Sequence, residues 1–183
     1  MRTENQYRTH RTVDLGEQHI GQTVRVAGWV ANIRDHGGVM FLDLRDHYGE
    51  VQVVVHDEIL LENVHKECSV SVSGEVIRRD ADTVNEKIAT GTIEVAAQTI
   101  TVLGKAPQML PFEVQTSRET KEDVRLTYRF LDLRNPKVHQ NMVMRSAVIA
   151  YLREKMTSLG FLEMQTPILS VSSPEGARDY LIP

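Results

Sequence analysis

Between residues 23 and 104 the chain holds five runs in which apolar and polar side chains alternate, a periodicity that commits this stretch to β-structure. TVRVAGWVANIR (23–34) opens the series, and GGVMFLDLRD (37–46) and EVQVVVH (50–56) follow, with His47-Tyr48-Gly49 predicting a hairpin turn between them. DEILLENVHKE (57–67) drops the alternation; Leu60 and Val64, four apart, predict a short amphipathic helix there. CSVSVSGEVIR (68–78) and TIEVAAQTITVLG (92–104) return to period two as a fourth and a fifth strand. Gly28 and Gly74 fall inside strands, where they weaken local propensity but let the backbone coil sharply.

Three strands, a short helix and two more strands is the order that a five-stranded barrel of the OB type requires, the helix plugging one end. An open five-stranded sheet of another topology satisfies the same periodicity. After it, GKAPQMLPFEVQTS (104–117) carries two prolines and no period and reads as a linker, and RETKEDVRLTYRFLDLRN (118–135) is charged and partly helical. A longer helix starts at Pro136 and stops at Gly160, with proline near the first turn and glycine just past the end. FLEMQTPIL (161–169) then reads as a strand confined to a sheet edge, because Pro167 donates no ladder hydrogen bond. Nothing in the chain is large enough to cover the apolar side of that helix, so a second copy or further polypeptide is expected against it.

Net charge is −4, which taken whole argues against a polyanion partner. The distribution is uneven: residues 1–117 hold 11 Lys and Arg against 17 Asp and Glu, and residues 118–155 hold 9 against 5. Nucleic acid would therefore need a local patch. The one cysteine, Cys68, excludes an internal disulfide and fits a reducing compartment. The first residues lack the apolar core of a secretion signal, and no stretch approaches the apolar length of a membrane span, so the reading is cytosolic with no membrane partner. There is no P-loop, dinucleotide fingerprint, HExxH, paired cysteines or GxSxG, and the seven histidines lack metal-site spacing, so no catalytic residue and no metal ligand is assigned.

Two constellations remain. Single-stranded RNA is read by barrel surfaces that stack bases on aromatics and hold the backbone with Arg or Lys. Arg34, Phe41 and Gln52 stand on strands one, two and three, where Phe41 and Gln52 can share a face; a packed Phe41 and a solvated Arg34 fit the pattern too. Near the other end, Glu175 and Asp179 bracket Arg178 in a proline-glycine turn. Such a turn is either plain surface or an anionic group held to receive an ammonium.

AGWVANIRDHGGVMFLDLRDHYGEVQVVVHD, ATGTIEV, VRLTYRFLDLRNP and GFLEMQTPILSVSSPEGARDYLIP together resemble the N-terminal portion of a bacterial-type aspartyl-tRNA synthetase, a class II aminoacyl-tRNA synthetase, in order and over nearly the whole chain. The resemblance implies a mainly β fold: a five-stranded OB-fold anticodon-binding domain over 1–110, a hinge over 111–135, and over 136–183 the first helix and strand of the α/β catalytic domain, truncated after motif 1. It implies that Arg34, Phe41 and Gln52 meet the anticodon, and that His36 and Asp82 lie where members strict or relaxed in their choice of tRNA differ. His36 matches the relaxed type and Asp82 departs from its usual glycine. Val54, Asn32 and Ile33 also depart from the family pattern, which has a second aromatic on strand three and arginines before Arg34. Glu175 matches the glutamate that reaches the amino group of L-aspartate, and Pro167 the signature proline of the homodimer interface. The complete enzyme would use ATP and Mg2+, bound mainly by residues beyond this portion, to charge tRNA(Asp) and, if relaxed, tRNA(Asn); this portion alone is expected to be inactive. A free-standing OB-fold RNA-binding module without catalysis is the alternative.

Overall fold

The computed structural model of the protein describes residues 4–167. The chain divides into two compact units, Met1–Leu110 and Pro111–Pro183. In the first, five strands form: β1 (Thr23–Asp35), β2 (Met40–Arg45), β3 (Glu50–Val55), β4 (Ser69–Arg78) and β5 (Ile93–Gly104). Their order is β1-β2-β3-β5-β4, and β4 pairs back onto β1, closing the sheet on itself. All pairings are antiparallel except β3 with β5, a short parallel contact at Val53↔Val95 and Val54↔Ala96. Of the two topologies the periodicity allowed, the OB-type order is the one that forms.

The inward positions fill one core: Val24, Val26 and Val30 from β1, Leu42 and Leu44 from β2, Val51, Val53 and Val55 from β3, Val70, Val72 and Val76 from β4, Ile93 and Val95 from β5. Gly28 and Gly74 are where this barrel needs its closest approaches. A Cβ at Gly28 would collide with the carbonyl of Arg45, and one at Gly74 with the carbonyl of Ala96. Both glycines are thus steric requirements as well as points of coiling.

Residues 57–67 do not make the expected amphipathic helix. A single 3-10 turn, Glu58–Leu61, forms instead, started by Asp57 Oδ1 accepting from the Ile59 amide at 3.0 Å. The backbone then enters the left-handed region at Asn63 (φ 63°) and again at Glu67 (φ 65°), which a continuous helix does not allow. Leu60 and Leu61 still pack on the core and Val64 is buried in it, so the apolar spacing reflects a plug without helical length. Ahead of β1, residues 5–20 are tied to the barrel by Asp46. Its buried carboxylate accepts from Thr12 N (3.0 Å), Thr12 Oγ1 (2.8 Å), Tyr48 N (2.7 Å) and Gly49 N (3.0 Å).

In the second unit, a 3-10 segment (Val114–Glu119) precedes α1 (Glu122–Thr127), α2 (Arg129–Asp132) and α3 (Pro136–Ser158). Asn135 caps α3, its Oδ1 accepting from Lys137 N and Val138 N while its Nδ2 donates to the carbonyls of Val114 and Gln115. Asp132, fully buried, accepts from Ser117 Oγ (2.8 Å), from Arg125 and from Arg129. Residues 161–167 pair with no strand among the described residues, contrary to the strand expected over 161–169; a strand needs a neighbouring edge, and the described part of this unit holds only helices and turns. Pro167 is the last described residue and is exposed; Glu175, Arg178 and Asp179 lie outside the described residues.

Candidate nucleic-acid interface

Strand alternation decides which side chains leave the core. On β2 the inward Leu42 and Leu44 send Phe41 and Asp43 outward, and on β3 the inward Val51, Val53 and Val55 do the same for Glu50, Gln52 and Val54. On β1 the parity changes along the strand. The register slips by one residue between Val30 and Asn32, so Val24, Val26 and Val30 face inward before the bulge and Ile33 packs on the core after it. Without that extra residue Arg34 would share the parity of Val30 and point into the core. With it, Arg34 stands outward and pairs with Phe41.

Arg34, Phe41, Asp43, Glu50 and Gln52 line one open pocket of about 460 Å³ on the outer face of β1, β2 and β3. Arg34, Phe41 and Gln52, on three strands, are brought together there. Arg34 Nη2 donates to Asp43 Oδ1 at 2.6 Å and to Gln52 Oε1 at 3.3 Å, and Gln52 Nε2 donates to Glu94 Oε2 at 2.8 Å. Gln52 is buried with both ends of its amide engaged, so pairing with a base requires it to exchange a partner. His36, in the exposed β1–β2 turn with Gly37 and Gly38, sets its ring edge-on to Phe41, with 5.5 Å between centroids and 82° between planes. Phe41 is half-buried, leaving part of its ring open to the pocket. Asp82 is exposed in the 3-10 turn Ala81–Thr83 and does not line the pocket; Thr83 and Asn85, from the same loop, do.

Three lining or bordering groups escaped the reading of the sequence: Arg79, Glu94 and Glu50. Glu94 alternates outward between the buried Ile93 and Val95, and the parallel β3–β5 contact sets it beside Gln52. Arg79 follows β4 and is buried, its Nε donating to the Ile93 carbonyl at 3.1 Å and lying 4.0 Å from Glu94. Its Nη2 is buried without a hydrogen-bond partner among the described residues, and burial pulls the guanidinium below its ordinary pKa, Glu94 and Asp43 opposing the shift. A buried donor left unsatisfied costs about 1–3 kcal/mol, and Arg79 lines the open pocket. Glu50 lines the pocket with no hydrogen bond to its carboxylate among the described residues, and desolvation raises its pKa against the opposing charge of Arg45.

The pocket therefore offers the half-open ring of Phe41, two guanidinium groups, the amides of Gln52 and Asn85 and the carboxylates of Asp43 and Glu50, with the Glu94 carboxylate beside Gln52 at its border. Planar rings with donor and acceptor edges suit such a surface better than a phosphate chain does, because the carboxylates nearly cancel the cations.

Residues 24–103 match the family model of the OB-fold nucleic acid binding domain, and residues 121–183 match that of class II tRNA synthetases (D, K and N). The aspartate--tRNA(Asp/Asn) ligase of Cereibacter sphaeroides is 52% identical over 181 residues, covering 97% of this chain and 30% of the relative. That of Ehrlichia ruminantium is 48% identical over 184 residues, covering 98% and 31%. The chain thus spans about a third of the length of these curated relatives. Among solved structures, asparaginyl-tRNA synthetase from Pyrococcus horikoshii superposes with a TM-score of 0.72 at 27% identity, over 87% of this chain and 38% of that one. A Leishmania major protein described as a putative aspartyl-tRNA synthetase reaches a TM-score of 0.77 at 23% identity over 91% and 35%, which speaks to the fold alone. With a match to an OB-fold domain followed by a match to part of a class II synthetase domain, the chain is similar over nearly its whole length to these aspartate--tRNA ligases and shares about half of its residues with them.

Proposed function

We propose that the chain is part of an aspartate--tRNA ligase and that its barrel receives the anticodon loop of tRNA(Asp), and of tRNA(Asn) as the names of its relatives suggest. The observation that carries this reading is the convergence of Arg34, Phe41 and Gln52 on one pocket by way of the β1 bulge. Phe41 stacks beneath an unpaired base, Arg34 and Gln52 hydrogen-bond to base edges, and Arg79 and Glu94 support them. His36, standing edge-on to Phe41, shapes the entrance and with it the choice of tRNA; Asp82 acts on that choice through its loop.

L-aspartate is met by Glu175, a carboxylate suited to an ammonium group. ATP and Mg2+ are assigned to the class II synthetase domain, of which this chain carries a part. That domain activates the carboxylate of aspartate with ATP and passes the aspartyl group to the tRNA terminus. The extent of each domain, 1–110, 111–135 and 136–183, belongs to the same reading, as do a cytoplasmic location and a homodimer in which Pro167 lies at the interface. Apolar side chains on α3 favour the dimer: Met144, Tyr151 and Leu152 are among those exposed.

The test is binding of an anticodon stem-loop RNA to the chain and to its Phe41→Ala and Arg34→Ala variants. Base stacking on an aromatic is worth about 1–3 kcal/mol, so Phe41→Ala is expected to weaken binding at least fivefold. Unchanged affinity in both variants would refute anticodon reading by this pocket.

A further inference from the structure

Aspartate and asparagine codons differ only in their first letter, so the two anticodons differ only in their third base, cytosine for aspartate and uracil for asparagine. At the pairing edge these bases are opposites: cytosine offers an amino donor where uracil offers a carbonyl acceptor. A pocket that takes both needs a group able to accept from one and donate to the other. Arg34 can only donate, and the amide of Gln52 is fixed in direction by Arg34 on its oxygen and Glu94 on its nitrogen. Asp43 is held by Arg34 as an acceptor, Asn85 accepts from the Lys87 amide through its Oδ1, the Thr83 hydroxyl donates to the Asp80 carbonyl, and the His36 ring stands edge-on to Phe41. Glu50 is different: it lines the same pocket two residues before Gln52 on β3, and no hydrogen bond among the described residues fixes its carboxyl group.

We propose that Glu50 is the two-way reader of the third anticodon base, accepting from the cytosine amino group as a carboxylate and donating to the uracil carbonyl as a carboxylic acid. The inference rests on the anticodon reading above. No bond is made or broken; a proton is taken from solvent when a uracil loop binds and none is needed for cytosine. The surroundings permit both forms. Arg45 and Asp43 of β2 act on Glu50 with opposite sign, and Arg34, His36 and Arg79 share its pocket. Desolvation dominates and favours the neutral acid to higher pH than in an exposed glutamate. Arg45 does not neutralise Glu50 outright, because its guanidinium is committed to Glu67 at 2.8 Å in a buried pair.

The experiment uses two stem-loop RNAs that differ only in the third anticodon base, titrated with the chain and with Glu50→Gln between about pH 5 and about pH 8, a range that begins near the ordinary glutamate pKa. For the wild type, affinity for the uracil loop falls relative to the cytosine loop as pH rises, by about tenfold across the range, the worth of one hydrogen bond. Calorimetry in buffers of different ionisation enthalpy shows proton uptake with the uracil loop alone. In Glu50→Gln, whose amide can turn to either base but cannot titrate, both the pH dependence and the proton uptake vanish while each loop still binds. A preference that keeps its pH dependence in Glu50→Gln, or no pH dependence in the wild type, overturns the role of Glu50. If neither loop outcompetes a stem-loop with a scrambled anticodon, the underlying anticodon reading has failed and the inference falls with it.

Discussion

At the scale of single residues, the Asp46 carboxylate just past β2 gathers four hydrogen bonds, two from Thr12 that fasten the preceding segment to the barrel and two from the Tyr48 and Gly49 amides that hold the turn into β3. Replacing it with alanine leaves the Thr12 amide and hydroxyl and the Tyr48 and Gly49 amides without that acceptor, in a site that is almost dry. A loss of about 3 kcal/mol is expected, read as a lower urea midpoint with unchanged slope. Among the site residues, Phe41 and Gln52 could be placed on one outer face from period two alone. Arg34 could not, because its outward direction depends on a bulge that no residue pattern announces; motif likeness supplied it instead. Arg79, Glu94 and Glu50 were illegible for a related reason. Their nearness to the pocket comes from the parallel β3–β5 contact and from the turn after β4, both long-range features.

Elements carry two further expectations. Gly74 sits where β4 crosses β5 so closely that a methyl group would meet the Ala96 carbonyl, which is backbone in a closed sheet and has no room to yield. Gly74→Ala is expected to destabilise the barrel by about 1–3 kcal/mol, measured as a lower melting temperature of the Trp29 fluorescence signal. In the second unit, Asp132 ties the 3-10 segment, α1 and α2 together. Burial pushes its pKa up, but hydrogen bonds from Arg125 and Ser117 and the charges of Arg125 and Arg129 push it down further, so the folded value lies below the ordinary one. A depressed carboxylate pKa contributes stability that is complete above the unfolded value and disappears as pH falls through the folded one. Hydrogen exchange at the amides of 114–135 should therefore show a constant protection gap between wild type and Asp132→Asn above about pH 5, closing in more acidic solution. The strands were legible as elements because each buries one face. The 57–67 segment was not, since spacing of Leu60 and Val64 fits a plug of any backbone form, and left-handed Asn63 and Glu67 are choices the apolar pattern does not encode.

For the whole molecule the governing contrast is charge. The barrel portion is acidic, 11 basic against 17 acidic residues up to position 117, and the segment 118–155 is basic, 9 against 5. An RNA held by phosphates would favour the basic segment, whereas an RNA held by its bases would favour the pocket, where Arg34 and Arg79 face Asp43, Glu50 and Glu94. Salt separates these cases, because each phosphate neutralised on a single strand contributes about −0.7 to the slope of log affinity against log salt. Base reading by the pocket, with Arg34 as its one exposed cation among the described lining arginines, predicts a slope no steeper than about −2 for the anticodon stem-loop, and binding that a scrambled loop sequence abolishes at every salt concentration. A slope of about −4 or beyond, indifferent to loop sequence, would instead mark the basic segment as the place where this chain holds RNA and would leave the barrel without the role its pocket chemistry supports.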